Sequence, residues 1–158
     1  MRIVLERVES AEVKVNGEKI SEIKKGLLLF VCIYKDDTPK EIRWAANKVL
    51  NLRIFEDDKG KLNLSVSDIK GEILAISNFT LCGDVLKGNR PSFDKSEEKE
   101  KAEEKFDSFV SLLKESGLSV KKGKFGAFME VYHINSGPVT IIIDTKEKFK
   151  KGVKDEEI

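Results

Sequence analysis

Side chains able to run acid–base or metal chemistry are scarce in this chain. His133 is the only histidine, so a Ser-His-Asp triad would have to use it. Within Val131-Tyr132-His133-Ile134 no carboxylate stands at a telling spacing, and a structural or surface histidine is the simpler expectation. No His/Cys/Asp cluster has the spacing of metal ligands, so metal-assisted hydrolysis lacks support. That leaves hydroxyls and backbone. Ser77-Asn78-Phe79-Thr80-Leu81 ends the strand-like run Glu72 to Leu81. If it stays extended, alternation puts Asn78 and Thr80 on one face and Ser77 and Phe79 on the other. Thr80 is then either a good strand former or a hydroxyl offered to a pocket, where it could act as a nucleophile on small amides or esters.

A second segment, Asn135-Ser136-Gly137-Pro138-Val139-Thr140, sets a Gly-Pro pair before the apolar run Val139 to Ile143. Proline sits badly inside a sheet but well at the first residue of a strand, and an X-Pro bond is open to the cis form. Gly137-Pro138 is either a turn that starts a strand or a rigid pair that aims two carbonyl oxygens at a ligand.

The elements that must position these residues are mostly strands. Ala11, Val13 and Val15 alternate with polar residues, Asn16-Gly17 supplies a hairpin turn, and Leu27 to Ile33 is apolar throughout, as in a strand covered on both faces. Thr38-Pro39-Lys40-Glu41 opens a helix with a capping box, and Ile42, Ala45, Ala46, Val49 and Leu50 form its stripe. Asp57-Asp58-Lys59-Gly60 turns a hairpin between Arg53 to Phe55 and Leu62 to Leu64. A second helix runs from about Lys95 to Glu115 with Ala102, Phe106, Phe109, Val110 and Leu113 inward, and Gly117 ends it. Strands at Ser119 to Lys121, Phe128 to Ile134 and Val139 to Asp144 follow, then a charged, frayed tail over 150–158. The expected fold is α/β but β-rich: a barrel-like, mostly antiparallel sheet with two main helices packed outside.

At 158 residues the chain is most simply one domain. Its 29 basic and 28 acidic residues nearly cancel, which argues against coating nucleic acid and leaves room for binding one nucleotide end in a pocket. No run approaches the roughly 20 apolar residues of a membrane span. Met1 to Glu6 reads as a strand start with no signal-peptide pattern, so a cytoplasmic location is the default. Cys32 and Cys82 are expected to be buried free thiols in that reducing setting.

Three motifs stand in register: Ser77 to Leu81, the loop Gly83 to Phe93 with Gly88-Asn89-Arg90-Pro91-Ser92-Phe93, and Asn135 to Thr140, with Phe125-Gly126-Ala127-Phe128-Met129 upstream of the last. Together they resemble D-aminoacyl-tRNA deacylases, which carry Ser-Gln-Phe-Thr-Leu, Gly-Asn-Arg-Pro-Ser-Phe and Asn-x-Gly-Pro-Val-Thr. The resemblance runs from Met1 to about Phe149, one domain over 1–149, and departs at Asn78, where the family has glutamine.

It implies hydrolysis of the ester of D-aminoacyl-tRNA, and of mischarged glycyl-tRNA, without metal or cofactor. The terminal adenosine of the acceptor end would bind in a pocket built from Ser77 and Asn78. Backbone N–H groups of Phe79 and Thr80 would face the ester, the Thr80 side chain would assist, and the ribose hydroxyl would help place water. Carbonyls of a cis Gly137-Pro138 would reject L-amino acids. The resemblance further implies a homodimer with each Gly-Pro motif inserted into the partner's active site. Lys87 and Arg90 are candidate phosphate contacts near the acceptor end. A Thr80-nucleophile hydrolase of small substrates and a non-catalytic tRNA-end-binding module are the alternatives.

Overall fold

In the computed structural model, residues 1–150 are described; residues 151–158 of the expected charged tail lie outside the described residues. The sheet is organised by β1 (Arg2–Val15), long enough to take different neighbours along its length. Its first half pairs antiparallel with β3 (Gly26–Cys32), its second half with β2 (Glu18–Ile23), and its other edge carries β8 (Glu130–Asp144) throughout. The turn into β2 is the expected Asn16-Gly17, with φ of 51° and 78°. These are the left-handed angles that a two-residue hairpin needs.

Beyond β3 lie β6 (Glu72–Ser77) and β7 (Val120–Lys122), both parallel to it in direction, so the sheet mixes three antiparallel pairings with two parallel ones. Ser21 Oγ donates to the Lys122 carbonyl at 2.7 Å and Lys121 Nζ to the Glu22 carbonyl at 2.8 Å. These bonds draw β7 toward β2 and nearly close the barrel. The small hairpin of β4 (Phe55–Glu56) and β5 (Leu62–Leu64) stands apart.

Two helices cover one face. α1 (Pro39–Asn51) starts at Thr38 with the expected capping box, in which the Thr38 N–H donates to the Glu41 carboxylate at 2.9 Å. α2 (Lys99–Lys114) presents Phe106, Phe109, Val110 and Leu113 to the same core as Ile42, Ala45, Ala46 and Val49 of α1. That core is completed by Ile3, Leu5, Leu27, Leu29, Val31, Ile73 and Ala75. Leu28, Leu74 and Ile76 point the other way, toward Val8, Ala11, Val13 and Ile23. This is why β3 and β6 read as unbroken apolar runs. A short α3 (Thr145–Lys148) follows β8.

Three expectations need correcting. The second helix starts at Lys99, not near Lys95, because Lys95 O accepts from Lys35 N–H and Glu97 N–H donates to Ile33 O, bonds that hold this stretch extended beside the end of β3. The two expected strands at 128–134 and 139–144 are one strand, β8, with the Gly-Pro pair inside it and not at a strand start. Cys32 and Cys82 are not free thiols: they are joined as a disulfide with Cα atoms 6.1 Å apart. They meet because β3 ends where the segment after β6 turns back, a tertiary event with no trace in their spacing of 50 residues. Among the described residues no helix is long and apolar enough to cross a membrane.

Phe109 is fully buried where α2 meets the core. Phe109→Ala is expected to cost about 3–5 kcal/mol in urea unfolding, whereas the exposed Glu104→Ala on the same helix should stay within about 0.5 kcal/mol.

Candidate active site

The parallel strands β3 and β6 end side by side, and their carboxyl ends open into a cavity of about 870 Å³. β6 stops at Ser77 because the chain turns: Asn78 N–H donates to Val31 O at 2.8 Å, the last rung against β3, and Asn78 O then accepts from Leu81 N–H at 3.3 Å. Phe79–Cys82 is therefore a 3-10 turn, closed by Gly83 N–H to Thr80 O at 3.0 Å. The extended geometry expected through Leu81 is not adopted, and the alternation drawn from it does not hold. Instead the Thr80 hydroxyl donates to Asn78 Oδ1 at 2.6 Å, so the two polar side chains meet across the turn.

The N–H groups of Phe79 and Thr80 take no part in the turn's own bonds, as befits the first donors of a helical turn. Both residues line the cavity, as do Ser77 and Asn78. Its walls are aromatic: Phe30, Phe125 and the edge-to-face pair Phe79–Phe93, with ring centroids 5.2 Å apart. At the rim, Glu97 is bound to Lys105 at 2.7 Å, and this hydrogen bond holds its carboxyl below the usual glutamate range.

His133 does not line this cavity. It packs edge-on to Phe30, and its Nδ1 lies 2.7 Å from Glu6 Oε2. The carboxylate missing from its sequence neighbourhood comes from β1, and Glu6 Oε2 has no other partner. The hydroxyl of Thr80 faces a neutral amide, with no base beside it. The arrangement is suited to polarising a bound group by main-chain donors and is poorly suited to making Thr80 a nucleophile.

Four of the expected site residues thus come together, and four stand elsewhere. Lys87 and Arg90 are exposed on the loop between Asp84 and Ser92 and do not line the cavity. That loop is held at its base by Asp84, whose carboxyl accepts from Leu86 N–H at 3.0 Å and Lys95 Nζ at 3.1 Å. The Leu86 bond first, then Lys95, keeps it below the usual aspartate range.

Gly137 and Pro138 are also exposed and outside their own chain's cavity. Along the β1–β8 ladder Glu6 faces Thr140 and Val8 faces Asn135, so residues 136–139 have no pairing partner on β1 and form a bulged loop within β8. Its peptide bond Gly137-Pro138 is cis, and Gly137 has φ of 138°.

Two residues not singled out from the sequence hold this loop. Arg7 donates through Nε to Ser136 O and through Nη1 to Ile54 O, both at 2.9 Å. Asn135 accepts from Val139 N–H and donates to Thr140 Oγ1, both at 2.8 Å, closing the loop across its neck. The only sequence signal for Asn135 was its place at the head of the motif; Arg7 gave none, being one charge on an alternating strand.

The fold is an α/β barrel with unengaged main-chain N–H groups at the ends of two parallel strands, an aromatic cavity and no metal-ligand cluster among the described residues. The family follows from comparison with known proteins: residues 4–144 match the model of the D-Tyr-tRNA(Tyr) deacylase family, and the chain belongs to it. It is 51% identical to the D-aminoacyl-tRNA deacylase of Thermodesulfovibrio yellowstonii over 92% of this chain and 100% of that one. It is 52% identical to that of Aquifex aeolicus over 93% and 99%. Among solved structures it is similar to one titled c-Myc DNA Unwinding Element Binding Protein, with a TM-score of 0.86 and 44% identity over 91% of this chain and 98% of that one. A probable eukaryotic D-amino acid tRNA deacylase shares the fold, with a TM-score of 0.77 and 18% identity over 90% and 97%.

Arg7→Ala leaves two carbonyl oxygens without their donor and is expected to lower stability by about 1–3 kcal/mol. Hydrogen exchange at Val139 should rise in the same variant as the loop loosens. Gly137→Ala places a Cβ 2.8 Å from Val139 Cγ2 and 3.0 Å from Arg7 Nη2 at a φ that side chains rarely adopt. A drop in melting temperature of a few degrees should follow.

Proposed function

We propose that this chain hydrolyses the ester bond of D-aminoacyl-tRNA, releasing the amino acid and tRNA. The observation that carries the reading is the pair of unengaged N–H groups at Phe79 and Thr80, set over an aromatic cavity whose one carboxylate, Glu97, is tied to Lys105. In this reading the terminal adenosine of the acceptor end occupies the cavity against Ser77, Asn78 and the phenylalanine walls. The ester carbonyl accepts from Phe79 and Thr80 N–H, which stabilise the oxyanion as it develops. The vicinal ribose hydroxyl positions water, so the substrate supplies what the side chains lack. Asn78, shorter than the family's glutamine, stays useful because its carbonyl is taken by Thr80 while its amide hydrogens remain for the nucleotide.

Chirality is read by exclusion. The carbonyls of Gly137 and Pro138 crowd the position an L side chain would take at the substrate Cα, and a D side chain points away. Glycine has nothing to exclude, so glycyl-tRNA is also a substrate. Because Gly137 and Pro138 are exposed and absent from their own cavity, they serve the cavity of a second copy, and the working unit is a homodimer with sites at the interface. Exposed Phe128, Tyr132, Ile134 and Ile142, one at the cavity and three along β8, are apolar surface for that contact. Lys87 and Arg90 meet phosphates of the acceptor arm from the neighbouring loop, and the setting is the cytoplasm, where tRNA is charged.

Side-by-side incubation with D-tyrosyl-tRNA and L-tyrosyl-tRNA tests the activity: the D ester is expected to be cleaved at least a hundredfold faster. Equal rates would remove the chiral reading, and binding without cleavage would leave a tRNA-end module. The donors are tested by Phe79→Pro against Phe79→Ala. Proline is tolerated at the first position of a helical turn, so the pair differs chiefly in the N–H. Phe79→Pro should turn over about a hundredfold more slowly than Phe79→Ala.

Thr80→Ala should lose less than about tenfold, since its hydroxyl only braces Asn78. Abolished turnover with intact folding and tRNA binding would instead favour a Thr80 nucleophile. Asn78→Gln should be tolerated, with turnover within about fivefold of the parent.

A further inference from the structure

We propose that Cys32 and Cys82 are a positioning pair for this reaction, a reversible thiol–disulfide couple that fastens the 3-10 turn of the active site to the end of β3. The inference rests on the reading that Phe79 and Thr80 present backbone donors to the ester. Cys32 is the last residue of β3 and Cys82 the last residue of the turn. Both are almost wholly buried, in a small cluster with Tyr34 and Leu81 that is separate from the two larger cores. Their Cα separation of 6.1 Å lies within the span that a disulfide bridges. The bond is the turn's single covalent tie to the sheet other than the main chain. The remaining ties are the Asn78 N–H to Val31 O bond and the Arg2 Nη1 bond to Leu81 O at 3.0 Å.

The surroundings also suit the reduced state. Cys32 Sγ lies 3.6 Å from Phe79 O and 3.7 Å from Ile33 O, and Cys82 Sγ lies 3.8 Å from Ile33 O. Each thiol therefore has a carbonyl to which it can donate a weak hydrogen bond, and neither polar group is stranded when the bond opens. A site that satisfies both states can hold either one, and because both sulfurs are buried the exchange between them takes place through local opening of the turn.

Closure is thiol–disulfide exchange. The thiolate of one cysteine attacks a small disulfide such as oxidised glutathione, expelling one thiolate; the other cysteine then attacks the mixed disulfide, expelling the second. Two protein thiols become one S–S bond, and the small disulfide is reduced to two thiols, so electrons and protons balance.

In the open state the turn keeps its backbone bonds but loses its tether one residue-pair beyond Thr80. The cavity and its aromatic walls are unchanged, so substrate still binds, while the donors are held less firmly for the transition state. The two states are prepared with oxidised glutathione and with dithiothreitol, and thiols are counted in denaturant. D-tyrosyl-tRNA hydrolysis is then measured well below either melting temperature.

On going from zero to two titratable thiols, kcat is expected to fall about tenfold with KM within twofold, and reoxidation should restore it. Cys82→Ser and Cys32→Ser should sit at the reduced rate and ignore both reagents. The proposal is overturned if kcat changes by less than twofold between verified states, or if the loss falls on KM. Two thiols that persist in excess oxidised glutathione, or a redox response that survives in Cys82→Ser, would also overturn it. Absence of hydrolysis in both states would instead strike the deacylase reading, and Phe79→Pro turning over as fast as Phe79→Ala would strike the donor reading; neither result depends on thiol state.

Discussion

The ladder between β1 and β8 is the interaction on which the rest of this molecule depends. It runs along nearly the whole of both strands, and it ties the end of the described chain to its beginning. A continuous ladder would have buried residues 136–139 in a row of hydrogen bonds. Because Glu6 pairs with Thr140 and Val8 with Asn135, one residue of β1, Arg7, stands against four of β8, 136–139, and the surplus must bulge out of the ladder. Asn135 and Arg7 then supply the hydrogen bonds that the expelled backbone would otherwise lack. A rigid sheet thereby presents an ordered loop, where a free hairpin of the same sequence would sample many shapes.

The turn at the candidate site depends on the same strand from its other edge. β3 is aligned by β1, β6 is aligned by β3, and the turn begins where that parallel ladder ends at Val31. Arg2, the first residue of β1, reaches both Leu81 O in the turn and Asp144 at the end of β8, with Nε to Oδ2 at 2.9 Å. Asp144 also accepts from the Tyr34 hydroxyl at 2.9 Å. Burial and this bond to a carboxylate push the Tyr34 phenol well above its ordinary range, so it stays a neutral donor. The turn and the protruding loop are thus braced from a single strand. Backbone donors can do work that other enzymes assign to side chains only when their positions are set this firmly, since their strength lies in requiring no reorganisation.

The two cysteines illustrate how far local expectation can diverge from tertiary fact. Each lies in an apolar setting that suits a buried thiol, and nothing in a separation of 50 residues announces a bridge. The bridge exists because β3 and the 3-10 turn are brought to the same point by the parallel pairing of β3 with β6. His133 teaches the same lesson in reverse: its carboxylate partner is Glu6, 127 positions away on β1, and not its ladder partner Ala11.

Periodicity and turn chemistry were enough to determine most of the elements. The Asn16-Gly17 hairpin, the Thr38-Pro39 helix start, the α2 stripe and the doubly covered β3 are all local consequences of side-chain spacing, and each was legible from the residues. So was the nearness of Ser77, Asn78, Phe79 and Thr80, which line one cavity because they are consecutive. What only the tertiary structure decided was everything set by register between distant segments. That includes the turn that ends β6 early, the bulge that leaves Gly137 and Pro138 unpaired and outside their own cavity, the hydrogen bonds of Arg7 and Asn135, and the cysteine bridge. A strand's own sequence specifies which face is buried; it does not specify which residue stands opposite, and in this protein that choice determines which groups reach the cavity.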